Sequence, residues 1–272
     1  MMKNTVIAVA AIALATSVAS GDWVPASLSD GVFEGFDGAT AEDDTTVPVF
    51  AGESFFETDT HWQVTQAGVD VSMSLGLPGS FPSDGGYNMG TTQAVHGLND
   101  RALGAYAADS SPRSVSLKVV NDSAEALDAL FVQFDIERWM TTDTSKAGRA
   151  RLVLEQGQTE TTLVDFVTIA GVSQPFWNDA GFGEDGYGWV DGNAGINSVR
   201  ELGGMVDLAA LGAVIGIDEV FTLRWDLVEE GNVEAKATGL AVDNILVAVP
   251  EPGTLGILLV GAVGLLGRVR KR

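Results

Sequence analysis

The chain has 272 residues, with 37 acidic against 15 basic side chains, a formal net charge of −22 and no cysteine. This charge disfavours nucleic acid as a partner, because phosphate backbones are bound by basic surfaces. The lack of cysteine excludes disulfides, thiol nucleophiles and cysteine-ligated metals. An acidic surface favours cations or neutral sugars as partners.

The first 20 residues predict a secretory signal peptide. Lys3 precedes an apolar stretch over residues 6–15, and Ser17 and Ala19 occupy the −3 and −1 positions of a signal-peptidase site. The chain is therefore expected to use the Sec translocon and to lose residues 1–20 to signal peptidase.

Residues 21–248 predict one all-β domain. Short β-branched and aromatic runs alternate with Gly, Asp, Asn, Ser and Pro, at a spacing typical of a β-sandwich. Predicted strands cover residues 32–36, 47–50, 54–57, 62–65, 69–75, 103–107, 114–121, 129–139, 149–155, 161–169, 219–228 and 239–249. Residues 76–99 and 176–197 are predicted loops, and residues 206–215 are the one stretch predicted as a short helix.

Asp135 and Glu137 lie two residues apart on a predicted strand, so they share one face. Two carboxylates on one face is the arrangement that a retaining glycosidase needs. Laminarinase-type jelly-roll hydrolases use Glu-x-Asp-x-x-Glu, and Gln133 stands here in place of the first carboxylate. The alternative is that both carboxylates pair with Arg138 or Lys118 on a solvent face. No catalytic residue is assigned, and the chain is predicted not to be an enzyme.

His61 and His96 are the only histidines of the chain. No Gly-x-Ser-x-Gly elbow and no metalloprotease spacing accompanies them. Both are expected on the surface or in loops.

Two groups of oxygen-bearing side chains suit a hard cation such as calcium, one in a Gly-rich loop and one between the first and last strands. The loop group does not follow the EF-hand pattern. The alternative is that these are solvated turn acids, and no other cofactor is expected. The candidate calcium ligands are Asp37, Asp191, Asn193, Asp243 and Asn244.

The predicted loop over residues 176–197 combines six glycines with the aromatic residues Trp177, Tyr187 and Trp189. Aromatic faces stack on the apolar side of a pyranose, and neighbouring Asn and Asp accept hydrogen bonds from hydroxyls. The loop is therefore a candidate glycan-binding site. The alternative is that its aromatic side chains fold back to close the end of the sandwich.

The last 24 residues, 249–272, consist of three parts. Pro250, Glu251 and Pro252 come first, and no charged residue follows until residue 268. As a helix, residues 252–267 would span about 24 Å, somewhat less than a hydrocarbon core of about 30 Å. A single transmembrane helix is predicted, with its C-terminal end in the cytoplasm because basic residues stay on that side. The basic residues are Arg268, Arg270, Lys271 and Arg272.

This order of parts at the C-terminus resembles the PEP-CTERM sorting signal. The resemblance implies processing by an exosortase, a membrane cysteine protease of Gram-negative bacteria that make extracellular polysaccharide, followed by delivery to the cell surface or matrix. The alternative for the tail is an ordinary membrane anchor. The strand pattern is similar to the jelly-roll domains common in PEP-CTERM cargo, which implies a fold only.

These expectations combine into an exported protein with a structural or adhesive role in a polysaccharide matrix. The inner membrane and exosortase are expected as transient partners, and extracellular polysaccharide as a further one. The alternatives are a carbohydrate-binding module that uses residues 176–197 and, as a third hypothesis, a glycan-active enzyme.

Overall fold

In a computed structural model, the part of the chain that the structure describes is almost entirely β. The structure describes residues 22–29, 31–34, 59–66, 69–70, 73–75, 86–91, 100–107, 113–141, 147–169, 188–189, 192, 195–229 and 238–250. In chain order the strands are β1 Asp22–Trp23, β2 Ala26–Ser27, β3 Val32–Glu34, β4 Asp59–Thr60, β5 Trp62–Gln66, β6 Val69–Asp70, β7 Met73–Leu75, β8 Gly86–Thr91, β9 Asp100–Ala107, β10 Arg113–Val120, β11 Ala129–Thr141, β12 Gly148–Gln156, β13 Thr159–Ile169, β14 Gly188–Trp189, β15 Ser198–Asp207, β16 Val220–Glu229 and β17 Thr238–Ala248.

Two large sheets form a sandwich. Sheet one has the order β13-β12-β16-β10-β5-β6, with β2 also paired to β10. Sheet two has the order β14-β11-β17-β9-β8-β7, with β15 beside β11 and β3 beside β17. The short strands β1 and β4 pair in parallel outside both sheets. The predicted jelly-roll-like β-sandwich is confirmed.

The core lies between the sheets because each long strand alternates apolar and polar side chains. One continuous cluster of buried side chains draws on both sheets. At its centre, the ring of Trp225 from sheet one meets Phe134 of sheet two edge-on, with ring centroids 5.8 Å apart. This alternation places one face of β11 and one face of β16 in the core. Their buried residues are Leu130, Val132, Phe134 and Ile136 on β11, and Phe221, Leu223, Trp225 and Leu227 on β16.

Four predictions about secondary structure are corrected. The stretch predicted as a helix over residues 206–215 is the end of β15, one 3-10 turn at Ala209–Leu211 and a loop. Strand β15 itself was not predicted, because Gly203 and Gly204 interrupt its alternation. Strand β8 lies inside the predicted loop over residues 76–99. The predicted strand over residues 69–75 contributes β6 to sheet one and β7 to sheet two.

The signal peptide, the predicted strands over residues 47–50 and 54–57, and the tail after Pro250 lie outside the described residues. No helix within the described part of the chain is long and apolar enough to cross a membrane. The boundaries at residues 20 and 248 stay predictions.

Candidate functional site

The last strand, β17, ends at one end of the sandwich. Strand β17 lies inside sheet two between β11 and β9, and Ala248 at its end pairs with Phe131 near the start of β11. Val249 packs against the core, and Pro250 is half-buried. The folded domain therefore continues up to the first residue of the Pro-Glu-Pro triplet.

The same end of the sandwich is built by the turn over residues 121–128 and the loop over residues 208–219, and we call it the exit end. The backbone N–H of Leu208 donates to the carbonyl of Asp128 at 2.8 Å. The amide nitrogen of the buried Asn121 donates to the carbonyls of Glu125 at 3.0 Å and Gly216 at 2.9 Å. Asn121 thus fixes the turn and the loop to each other.

The surface of the exit end combines apolar and acidic side chains. Among the described residues, seven large apolar side chains are exposed, and six of them lie at this end or on the adjacent outer face of sheet two. The six are Phe33, Met205, Leu211, Val214, Ile217 and Val220. The acidic residues at this end are Asp122, Glu125, Asp128, Asp207, Asp218 and Glu219.

One of these acids is strongly held in its ionised form. Asp122 accepts hydrogen bonds from the Ser27 hydroxyl at 2.5 Å and from the backbone N–H of Ser29 at 2.8 Å. The Ser27 hydroxyl and the Ser29 N–H lower the pKa of Asp122 to about 2. Charge therefore persists at the exit end over the whole physiological range.

The outer face of sheet one carries a polar network that sequence analysis did not find. Asp226 lies at its centre and accepts hydrogen bonds from the Ser114 hydroxyl at 2.9 Å, from Nε of Arg224 at 2.7 Å and from Nε of Arg151 at 2.8 Å. Burial raises the pKa of Asp226, but hydrogen bonds from Arg224 and Arg151 outweigh it and hold the pKa below its ordinary value. Arg224 also bonds to Glu155 on β12.

Basic side chains are concentrated on this outer face. Between residues 21 and 248 the sequence has ten basic residues, and four of them are Lys118, Arg149, Arg151 and Arg224 on neighbouring strands of sheet one. The guanidinium of Arg149 lies 4.5 Å from the ring centroid of Phe166 on β13, a distance at which a cation is attracted to an aromatic face. The guanidinium groups are thus held in fixed orientations in an otherwise acidic chain.

Asp135 does not lie on the solvent face that the ion-pair alternative expected; it is buried between two β-bulges. It accepts a hydrogen bond from the backbone N–H of Glu201 on β15 at 2.7 Å and one from the side-chain amide of Asn244 on β17 at 3.0 Å. Glu201 and Asn244 adopt positive φ of 54° and 48°, and the strand register shifts beside each of them. The bulges turn polar groups toward the carboxylate.

Glu137 is also buried, and its Oε2 accepts a hydrogen bond from the indole N–H of Trp139 at 2.8 Å. The predicted solvent-face pairing with Lys118 is wrong, because Lys118 lies on β10 in the other sheet. Gly192 packs directly against Trp139, since a Cβ at this position would lie 2.3 Å from the indole ring.

Of the candidate calcium ligands, Asp37, Asp191 and Asn193 lie outside the described residues. Asp243 is buried, and its carboxylate accepts a hydrogen bond from the Asn244 amide at 2.9 Å. The same amide nitrogen bridges Asp243 and Asp135, which pair directly across β17 and β11. No group of three or more acidic or histidine side chains in the described ranges is arranged to hold a metal ion. The calcium site stays a prediction.

The other candidate residues are only partly described. Trp189 forms the short strand β14, whose partner is Met140 at the end of β11, whereas Trp177 and Tyr187 lie outside the described residues. His61 is exposed and forms a 2.9 Å hydrogen bond with the Val24 carbonyl, as expected of a surface histidine. His96, Glu251, Pro252 and the basic residues 268–272 also lie outside.

One feature of the outer-face network can be predicted from the sequence. Arg224 and Asp226 alternate with the buried Leu223 and Trp225, which predicts that both polar residues face outward. Their partners on β10 and β12 depend on strand pairing, which a single sequence does not specify.

Among solved structures the chain is similar to three carbohydrate-binding modules. The structure of TmCBM61 in complex with beta-1,4-galactotriose shares 10% identity, with 70% of this chain and 88% of that chain covered and a TM-score of 0.31. A non-crystalline cellulose specific module, CBM28, shares 12%, with 56% and 77% covered and a TM-score of 0.31. The family 11 module of the cellulosomal cellulase Lic26A-Cel5E of Clostridium thermocellum shares 9%, with 76% and 97% covered and a TM-score of 0.32.

At TM-scores of this size, the three likenesses carry no inference about the ligand of this chain. No curated protein matches the chain. Residues 248–271 match the PEP-CTERM protein-sorting motif. The expected resemblance is thereby confirmed: the chain carries a PEP-CTERM protein-sorting motif that begins at Ala248, the last residue of its last strand.

Proposed function

We propose that this chain is an exported protein of a Gram-negative bacterium, processed by an exosortase at its PEP-CTERM motif and released to the cell surface or extracellular matrix. The sandwich is the delivered cargo, and the apolar tail holds it at the inner membrane until processing. The single observation that carries this proposal is the match of residues 248–271 to the sorting motif.

The position of the motif in the fold supports the proposal. Strand β17 ends at Ala248, so residues 251–272 follow all the strands of the described sandwich. Among the described residues, Val249 is the last one that packs against the core. Removal of the tail after Pro250 therefore leaves the strands and the core cluster intact, as a sorting reaction requires.

Substitution of Pro250, Glu251 and Pro252 by alanine tests the proposal in cells that contain an exosortase. Export is expected to continue, because the N-terminus is unchanged, whereas the tail is expected to remain uncut and the protein to stay in the membrane fraction. A matched control is alanine at Ser123, Glu125 and Asp128, in a turn at the same end of the sandwich. Unchanged processing of the motif variant would refute the sorting function.

We propose polysaccharide contact as a second function, on the outer face of sheet one. The observation that favours it is the concentration of four basic side chains there, two of them oriented by Asp226. Fixed guanidinium groups donate well to sugar hydroxyls and carboxylates. In a matrix of extracellular polysaccharide, this face presents basic donors, two of them paired with carboxylates, on an otherwise acidic protein.

Retention on immobilised neutral glucan and polyuronate tests this second function. Combined substitution of Lys118 and Arg149 by alanine is expected to weaken retention, whereas Arg200→Ala, which removes an exposed base from β15 of the other sheet, is the control. Combined substitution of Trp177 and Trp189 by alanine tests the loop over residues 176–197 instead. If retention survives the substitution of Lys118 and Arg149 but is lost with that of Trp177 and Trp189, the contact is assigned to the loop.

A further inference from the structure

The exit end lies very close to the point where the tail begins. Pro250 is half-buried at the end of the sandwich, and the uncharged stretch starts at Pro252. Three residues from Pro250 to Gly253 reach at most about 10 Å, even when fully extended. A headgroup layer is about 5–8 Å thick on each side of the hydrocarbon core. With the tail in a bilayer, the sandwich has no linker that would let it stand away from the lipid.

The short apolar stretch draws the sandwich still closer. As a helix, residues 252–267 are about 24 Å long, which is less than a hydrocarbon core of about 30 Å. A short span is accommodated by thinning of the bilayer and by a shift of its flanking residues toward the interface. On the outer side, the flanking structure is the exit end itself.

The exit end has the apolar groups that such a position would use. Val214 and Ile217 are 52% and 55% exposed, in a loop that Asn121 holds in place. Four exposed apolar side chains lie in this loop or directly after it, whereas Ile196 is the one large apolar side chain exposed at the opposite end among the described residues. The four are Leu211, Val214, Ile217 and Val220.

We propose that, before processing, the exit end of the sandwich rests on the bilayer surface, with the side chains of Leu211, Val214 and Ile217 in the headgroup layer. This inference rests on the proposed function, in which the tail anchors the unprocessed chain. It places the Pro-Glu-Pro triplet between the sandwich and the hydrocarbon core of the bilayer. The acidic residues of the exit end further imply that the contact prefers zwitterionic over anionic lipid.

The chain has no cysteine, so a single introduced cysteine gives a unique label. Val214→Cys and Ile217→Cys report on the exit end. Ile196→Cys, 56% exposed, is the matched control. It precedes β15, whose ten residues span about 30 Å between the two ends of the sandwich. Each full-length variant is labelled with an environment-sensitive fluorophore and reconstituted into phosphatidylcholine vesicles that contain spin-labelled lipid.

Interfacial side chains lie about 5–10 Å into the headgroup boundary, so quenching at positions 214 and 217 is expected to be several-fold stronger than at position 196. Replacement of half of the lipid by phosphatidylglycerol is expected to reduce this difference. Vesicles that float with the protein but quench all three labels equally would overturn the inference and leave the anchor standing. Energy transfer between labels at position 214 on two chains, without lipid quenching, would assign this surface to a second copy and also overturn it. Protein that does not float with the vesicles would remove the proposed anchor, and the inference with it.

Discussion

Asp226→Asn is the substitution that tests the polar network of sheet one most sharply. Asp226 is only 8% exposed, and its carboxylate accepts hydrogen bonds from Ser114, Arg151 and Arg224. The amide keeps the size and shape of the side chain but removes its charge, and it turns one acceptor into a donor that faces a guanidinium. A hydrogen bond to a charged group contributes about 1.5–3 kcal/mol.

The side chain of Arg151 is about one-third exposed, so water screens its part of the interaction. We therefore expect Asp226→Asn to lower the free energy of unfolding by about 2–3 kcal/mol. Most of this loss comes from the one strong hydrogen bond with Arg224. For a domain of this size, that corresponds to a fall in Tm of about 5–10 °C. Urea unfolding at pH 7, followed by tryptophan fluorescence, measures the difference.

The lowered pKa of Asp226 determines how its contribution to stability changes with pH. The pKa of Asp226 is lower in the folded protein than its ordinary value of 3.8. Its contribution to stability is therefore fully present above about pH 4 and is lost as the pH falls through the folded-state pKa. The difference between the wild type and Asp226→Asn should shrink below pH 4.

Glu160→Gln is the matched control for this experiment. Glu160 is 56% exposed and makes one 3.0 Å contact with Arg224, so a loss below about 0.5 kcal/mol is expected. An Asp226→Asn variant as stable as this control, or a difference that does not change with pH, would refute the reasoning about the network.

Two further substitutions test the packing and the bulges of sheet two. Gly104→Ala should lower the free energy of unfolding by more than about 3 kcal/mol in the same assay, because the new Cβ would lie 2.0 Å from the Leu240 carbonyl oxygen. Gly195→Ala, with open space around it, should be nearly neutral, and equal effects would contradict the packing described. Asn244→Ala should cost about 2–4 kcal/mol, from lost hydrogen bonds and from an alanine held at φ 48°. Asn244→Gly loses the same hydrogen bonds, but glycine adopts a positive φ without strain, so this variant should be more stable than Asn244→Ala by about 1 kcal/mol. An Asn244→Gly variant less stable than Asn244→Ala would rule out backbone strain.

The sequence was informative where a signal is local. Period-two alternation was sufficient to predict that β10, β11 and β16 are strands. It failed for β15, because Glu201 at positive φ and two following glycines break the alternation. It failed also for β8, whose sequence GYNMGT is rich in turn formers and has the backbone of a strand only through its pairing with β9.

The same holds for the functional residues: local signals could be predicted, whereas contacts that depend on strand pairing could not. The sorting motif is contiguous, so the sequence alone identified it and its position at the end of the last strand. The burial of Asp135 could not be predicted, because bulges on two neighbouring strands bring a backbone N–H and an amide to its carboxylate. Strand register determines such contacts, and a one-residue shift in register moves a side chain to the opposite face.

According to the proposed function, the sandwich is the exported domain and the tail is a sorting signal that is removed when the protein is released. Mass spectrometry of the protein recovered from the cell surface or culture medium tests it most directly. The claim predicts a mature chain that begins near residue 21 and lacks residues 253–272. Recovery of released protein that still contains the basic residues 268–272 would contradict it.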